Sequence, residues 1–276
     1  MSKYIIASSE SWFYKKEKSK DFLKHKFINI SDKKDLDMTF IDDINPRFIF
    51  FPHWSWKVPK KIFDNYECIA FHTAPLPIGR GGSPIQNLII DKYKESPVCA
   101  LKMNHIIDGG PIYLKRNISL MGSANEIFDR LADVIDQMII EIVEHNPVPK
   151  KQEGEASYFK RRKPSESQLP KEFDQLSDIY DHIRMLDADH YPKAFINHGD
   201  FRIEFSNADF EHDMVKADIS IRTLFLYKCR RYSSKYFLVG PSRRSPARAI
   251  PPKRKIASGL VIATALERLK ARRLAV

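Results

Sequence analysis

A histidine and an aspartate thirty-six residues apart are the pair best suited to chemistry in this chain. His72 closes the apolar run Ile69-Ala70-Phe71 and precedes a rigid Pro75-Leu76-Pro77 step and the turn Gly79-Arg80-Gly81-Gly82. That layout is expected to hold an imidazole at a sheet edge, beside a loop whose bare backbone can approach a ligand. Asp108 follows Ile106-Ile107 and precedes Gly109-Gly110, which reads as a carboxylate at a second strand end. An imidazole and a carboxylate at neighbouring strand ends make a minimal acid/base pair. The competing readings are a satisfied structural histidine and a turn-capping aspartate. Pro52-His53-Trp54-Ser55-Trp56 follows another apolar run, at the carboxyl edge where open α/β sheets bind ligands. Packing of its tryptophans on a core is the alternative there.

The elements that must position these residues alternate in type. Strand patterns at 4–7, 27–30, 47–51 (ended by Pro52), 67–72, 98–103 and 112–115 are interleaved with helical patterns near 15–25, 58–63 and 84–92. Ser123-Ala124-Asn125-Glu126 reads as a capping box opening a helix to about His145, with Ile127, Leu131, Val134, Met138 and Ile142 on one stripe. The fold class is therefore α/β, a doubly wound, mostly parallel sheet. Residues 1–150 are assigned to this domain and 151–170 to a linker with a strand-like island at Tyr158-Phe159. A small module spans 171–221, with a helix over 178–186 and an alternating strand at Phe201–Phe205. His182 and His190 fall in it at no ligand spacing and are expected on the surface.

Composition divides the chain again. Residues 222–276 hold 15 basic residues and one acid, a net of +14, whereas residues 1–221 hold 31 basic and 34 acidic, a net of −3. Lysine dominates the first segment (23 Lys, 8 Arg) and arginine the second (10 Arg, 5 Lys). The basicity thus belongs to a tail, expected to be poorly ordered over 242–255 and to form a basic amphipathic helix over 260–274. The change in usage also admits a reading-frame accident. Cys68, Cys99 and Cys229 have no metal-like spacing, and the first two read as small buried hydrophobes. No apolar segment has signal or membrane-spanning length, which points to a cytoplasmic protein with no membrane partner. No phosphate-binding loop, dinucleotide fingerprint, metal motif or nucleophile elbow is present.

His72-Thr73-Ala74-Pro75-Leu76-Pro77-Ile78-Gly79-Arg80-Gly81-Gly82-Ser83-Pro84-Ile85-Gln86 lies without a gap on the pattern His-x-Ser-Leu-Leu-Pro-x-x-Arg-Gly-x-x-Pro-Ile-Gln. That pattern marks the folate-dependent formyltransferases, the family of methionyl-tRNA formyltransferase and the sugar N-formyltransferases, which the chain resembles. Asp108-Gly109-Gly110 lies on the Asp-Thr-Gly carrying the family's catalytic aspartate, and residues 126–144 resemble the helix that follows. Residues 179–187 with 191–195 resemble the start of the family's C-terminal domain. The resemblance spans residues 1–221 and implies a Rossmann-like formyltransferase domain. One position departs: the family's Asn-x-His, whose asparagine helps to hold the formyl oxygen, is Ala70-Phe71-His72 here.

The implied reaction moves a formyl group from 10-formyltetrahydrofolate, without a metal, to a primary amine. His72 is expected to take the amine's proton, and Asp108 to orient the imidazole, stabilise its charged form or take the proton itself. The donor missing at Ala70 is worth about 3 kcal/mol by analogy with other oxyanion holes. His72, Asn87, Asn104 and Ser83 are the candidates to replace it, with His72 favoured, so that His72→Asn should cost more than substituting any one of the other three. Arg80 is expected to pair with a carboxylate or phosphate, or else to be a surface arginine in a turn. The resemblance places the folate against Met103, Asn104, Ile106, Gly81 and Gly82, with His53 and Trp54 as a wall. The expected acceptor is a nucleotide-linked amino sugar, because the body is acidic and shows no basic patch outside the tail. Methionyl-tRNA, gripped by the tail, is the alternative acceptor. A folate-binding relative without turnover is the non-enzyme reading that Ala70 admits.

Overall fold

The computed structural model describes residues 2–9, 12–15, 18, 20–189 and 191–224. The readings made of His190, Cys229 and the tail beyond 224 lie outside those residues. The chain opens with β1 (Tyr4–Ser8), buried throughout, then the short helices α1 (Trp12–Lys15) and α2 (Lys20–Leu23). β2 (Phe27–Ile30), α3 (Met38–Ile44), β3 (Phe48–His53), α4 (Lys60–Asn65) and β4 (Cys68–Thr73) follow. The two-residue β5 (Arg80–Gly81) leads into α5 (Pro84–Ile90), and then β6 (Glu95–Lys102) and β7 (Ile112–Ser119). The six long strands form one sheet in the order β2-β1-β3-β4-β6-β7. The pairings β1–β2, β1–β3 and β3–β4 are parallel, while β4–β6 and β6–β7 are antiparallel. The sheet is thus mostly parallel, with an antiparallel margin that carries the strands nearest His72.

β3 does not stop at Pro52. It runs on to His53 because Pro52 falls where the β1 register shifts, beyond the last residue paired with β4. The missing N–H therefore removes no ladder bond from this central strand. β7 likewise runs four residues past the expected Lys115, paired along β6 as far as Glu95.

α6 (Ala124–His145) covers one face of the sheet. Its N-terminus is closed by a reciprocal capping box between Ser123 and Glu126, and its C-terminus by the left-handed Asn146. Ile127, Leu131, Met138 and Ile142 are buried as the stripe required, together with Phe128, Ile135 and Ile139. They meet Tyr4, Phe48 and Phe50 of the sheet in the largest apolar cluster. Cys68 and Cys99 are buried and unpaired, and burial pushes their thiols up to about 12 and about 11.

Beyond α6 the chain forms β8 (Tyr158–Phe159), α7 (Leu176–Arg184) and the strands β9 (Ala194–His198), β10 (Phe201–Glu211) and β11 (Met214–Thr223). The last three make an antiparallel sheet in the order β11-β10-β9. β11 extends to Thr223, opposite Phe201, so the boundary drawn at 222 cuts a strand. α7 is tied back to the main domain by Arg184, which donates to the carbonyls of Leu120 (2.6 Å) and Gly122 (2.9 Å). His182 is buried rather than on the surface, with Nε2 at 3.2 Å from the Ser167 carbonyl. Among the described residues no helix is long and apolar enough to cross a membrane.

Removing the Ser123 hydroxyl (Ser123→Ala) should lower stability by about 1 kcal/mol. Urea unfolding would show this as a lower midpoint at unchanged slope.

Candidate active site

The site is built around the turn that leaves β4. His72 Nε2 lies 2.8 Å from the Gly79 carbonyl, so that nitrogen carries a hydrogen and donates it. His72 Nδ1 lies 3.5 Å from Asp108 Oδ2, and the same oxygen accepts the Gly81 N–H at 2.9 Å. With Nε2 committed as a donor, Nδ1 is the nitrogen that faces the carboxylate. The side chain of His72 is 8% exposed and that of Asp108 19%, so Asp108 is the more solvent-facing of the two. Asp108 Oδ1 has no hydrogen-bond partner among the described residues, which leaves the carboxylate as the member that can meet a substrate.

Asp108 does not sit at a strand end. β6 ends at Lys102, and the loop 103–111 folds back until Asp108 meets His72. The fold-back has local causes. The Asn104 side chain accepts the Ile106 N–H at 2.8 Å, the Gly109 N–H reaches the Ile106 carbonyl at 3.0 Å, and Asp108 is left-handed with φ +50°. Aspartate tolerates that region better than most residues. Gly110 is needed at the loop's base, since a Cβ there would lie 1.7 Å from the Lys102 carbonyl oxygen.

The glycine turn is approached closely, but by this chain's own backbone. β8 pairs with β5, Arg80 opposite Tyr158 and Gly81 opposite Phe159. Gly81 has φ +101°, and a Cβ there would lie 2.6 Å from the Phe159 carbonyl oxygen. At Gly82 it would meet Arg161. The N–H groups of Gly81 and Gly82 are spent on Asp108 and the Phe159 carbonyl. The stretch read as a linker is therefore a wall of the site, and with it comes the basic run Lys160-Arg161-Arg162-Lys163 that the charge reading overlooked.

The other expected residues distribute unevenly. Asn87 spends its amide N–H groups on the carbonyls of Gly82, Ser83 and Lys160, which removes it as an oxyanion donor. The Ser83 hydroxyl accepts the Arg162 N–H at 3.2 Å. Arg80 does not reach into solvent: Nε and Nη2 donate to Gln152 Oε1 at 3.2 and 2.7 Å. Both nitrogens of His72 are engaged within the chain, so a second duty at the oxyanion is not available to it. Asn104 holds its amide nitrogen beside Gly110, with no hydrogen-bond partner among the described residues. Ala70 shares a β4 face with His72 and lies among the apolar Ala74, Leu76, Cys99 and Leu101.

Trp54 and Met103 rest on one apolar cluster, and Trp54 packs edge-on against Phe51 and Trp56. Ile106 and its neighbour Ile107 are solvent-exposed next to Asp108. His53 lies at the switch between β1 and β3, with Nδ1 3.4 Å from the Ser9 hydroxyl, which in turn donates to Ser55 at 3.0 Å. Burial first, and the charge of Arg161 second, push His53 down to about 4. Gln152, which no motif announced, bonds to Arg80 and to the Asp108 loop together.

An open α/β sheet with an imidazole–carboxylate pair beside a glycine turn, followed by an antiparallel sheet, is the architecture of a formyltransferase. A solved chain described as methionyl-tRNA formyltransferase from Clostridium thermocellum matches with a TM-score of 0.76 and 43% identity, over 81% of this chain and 100% of that one. The chain belongs to the methionyl-tRNA formyltransferase family. The family profile of the methionyl-tRNA formyltransferase C-terminal domain matches residues 164–222. A methionyl-tRNA formyltransferase of Campylobacter jejuni subsp. doylei is 33% identical over 130 residues, 46% of this chain. The matched stretch spans 43% of that relative's length. A sugar N-formyltransferase from Shewanella sp. FDAARGOS_354 shares the fold at 19% identity and TM-score 0.53, over 72% of this chain and 94% of that one.

Because His53 is held neutral in the folded state but charges near 6.5 in an unfolded chain, the unfolded state binds more protons between those values. Stability contributed by His53 is thus present above pH 6.5 and lost as pH falls toward 4, by at most about 3 kcal/mol. Thermal melts across that range should show the loss, and His53→Gln should flatten it.

Proposed function

We propose that this chain transfers a formyl group from 10-formyltetrahydrofolate to the primary amine of a nucleotide-linked amino sugar. The observation that carries the transfer reaction is the His72–Asp108 contact, closed from both sides by the 79–81 turn. The neutral amine attacks the formyl carbon, and the tetrahedral oxyanion needs a donor while the amine sheds a proton. The intermediate then collapses, re-forming the C=O, breaking the bond from the formyl carbon to N10 and releasing tetrahydrofolate, whose N10 takes up a proton. Asp108, the more exposed partner, takes the amine's proton and shares it with His72 behind it. Asn104 supplies the donor that Ala70 lacks. The exposed Ile106 and Ile107 offer the folate ring an apolar edge, with Met103 and Trp54 behind.

The acceptor reading rests on charge. Lys160–Lys163 is a run of four cations directly after the β8 strand that pairs with the glycine turn, in a body that is otherwise net acidic, with Arg162 donating to the Glu166 carbonyl. Such a short run suits the one or two phosphates of a nucleotide sugar. A tRNA grip commonly draws on several more phosphate contacts. Methionyl-tRNA is the second reading, supported by the names of the relatives, the C-terminal-domain match and the +14 charge of residues 222–276.

Assaying purified protein with 10-formyltetrahydrofolate against nucleotide-linked amino sugars and methionyl-tRNA separates the two. A sugar enzyme keeps its kinetics when truncated after Leu224, whereas a tRNA enzyme loses affinity and salt dependence. Folate binding without turnover on either acceptor would defeat the transfer reading itself. Asn104→Ala should lower kcat by about 10²–10³-fold. Replacing Lys160 and Arg161 with alanine should raise the acceptor KM roughly tenfold and leave that of the folate unchanged.

A further inference from the structure

Gln152 stands apart from every motif and from the chemistry above, yet both ends of its amide are bonded. Nε2 donates to the carbonyls of Asp108 (2.7 Å) and Gly110 (2.8 Å), while Oε1 accepts from Arg80 Nε (3.2 Å) and Nη2 (2.7 Å). The partners settle the orientation of the amide: two carbonyls require a donor and a guanidinium requires an acceptor. Arg80 is thereby pressed against the loop, with Nη1 3.3 Å from where a Gly109 side chain would begin.

This hub faces a left-handed residue of the site. Asp108 is left-handed, and such a conformation persists only where its surroundings over-determine it. On its side-chain side Asp108 has the Gly81 N–H and the 3.5 Å contact with His72. On its backbone side it has Gln152.

We propose that Gln152 is a positioning residue for the acid–base pair, fixing the 108–110 loop by its backbone so that Asp108 Oδ2 stays on His72 Nδ1 and the Gly81 N–H. The catalytic half of this proposal rests on the transfer reading above, and the structural half does not. Glutamate at 152 would keep an acceptor for Arg80 but set an oxygen against two carbonyls, so Gln152→Glu removes the positioning bonds selectively.

The test uses the full chain labelled with ¹⁵N-histidine, the His72 signals being identified by their loss in His72→Gln. In folded Gln152→Glu, with an unchanged far-ultraviolet spectrum, the His72 ring ¹⁵N shifts at neutral pH should move toward those of Asp108→Asn. In the same variant kcat should fall about ten- to hundredfold, with the folate KM within about twofold of the parent. Should Gln152→Glu not fold, Gln152→Met, neutral and of equal length, is measured instead. Unchanged His72 shifts in a folded variant overturn the proposal. Failure of both variants to fold overturns it too, because Gln152 would then be a strut of the fold. If the parent protein transfers no formyl group but the shifts still move, the transfer reading fails and the positioning role stands.

Discussion

One short turn holds both members of the imidazole–carboxylate pair. Gly79 receives the hydrogen of His72 Nε2 through its carbonyl, and two residues on Gly81 gives its N–H to Asp108 Oδ2. A backbone carbonyl and a backbone N–H cannot exchange roles. The turn therefore dictates which nitrogen of the imidazole carries the fixed hydrogen and which faces the carboxylate. Everything that shapes the turn bears on the acid–base pair: the Ser157 hydroxyl accepting the Gly79 N–H at 2.9 Å, the β5–β8 pairing, and the absence of a side chain at 81.

That dependence explains the position of residues 150–163. The chain leaves α6, crosses the start of β7 through a reciprocal Ile112–Lys150 backbone pair, and then lies along the glycine turn. A flexible connector could not serve there, since the atoms filling the Cβ spaces of Gly81 and Gly82 come from Phe159 and Arg161. The stretch also delivers charge. Of the eight arginines in residues 1–221, Arg161 and Arg162 lie on it, and Arg80 beside it. One segment thus stiffens the turn and sets the electrostatic character of the rim.

The sheet was legible in the sequence because its strands carry apolar runs buried on both faces, as at Phe48–Phe51, and α6 because its cap and stripe are local signals. His72 and Asp108 stood out in the sequence through their flanking glycines, and the structure brings them into contact. How they meet was not legible. The Met103–Asp108 stretch has the apolar content of a strand ending, but the Asn104 side chain captures the Ile106 N–H and turns the chain. Likewise Pro52 reads as a stop unless the register shift of β1 is known. The polar, lysine-rich composition of 150–163 reads as a linker, because pairing with a distant two-residue strand leaves no periodic trace. Gln152 has no signal at all: a single polar residue in such a segment acquires meaning only from the carbonyls it meets.

On the proposed transfer reading, the alanine at position 70 moves the oxyanion donor from the sheet to the loop. In a β-strand, residues two apart share a face, so a donor at 70 would stand beside His72 on rigid backbone. Here that neighbourhood is Ala74, Leu76, Cys99 and Leu101, and burial keeps the Cys99 thiol protonated, with its sulfur 3.4 Å from the Ala74 carbonyl. An apolar floor strengthens any charge interaction above it, and the cation at its margin, Lys115, is spent on the Leu76 carbonyl at 3.2 Å. On the proposed transfer reading the oxyanion donor comes from the 103–111 loop, which also carries the Asp108 carboxylate, so that both ride on one segment and their mutual distance is set within it rather than across the sheet. A loop displaced as a unit would preserve that internal distance while breaking its register with His72. The contact between loop and turn is therefore the constraint on which the proposed transfer rests.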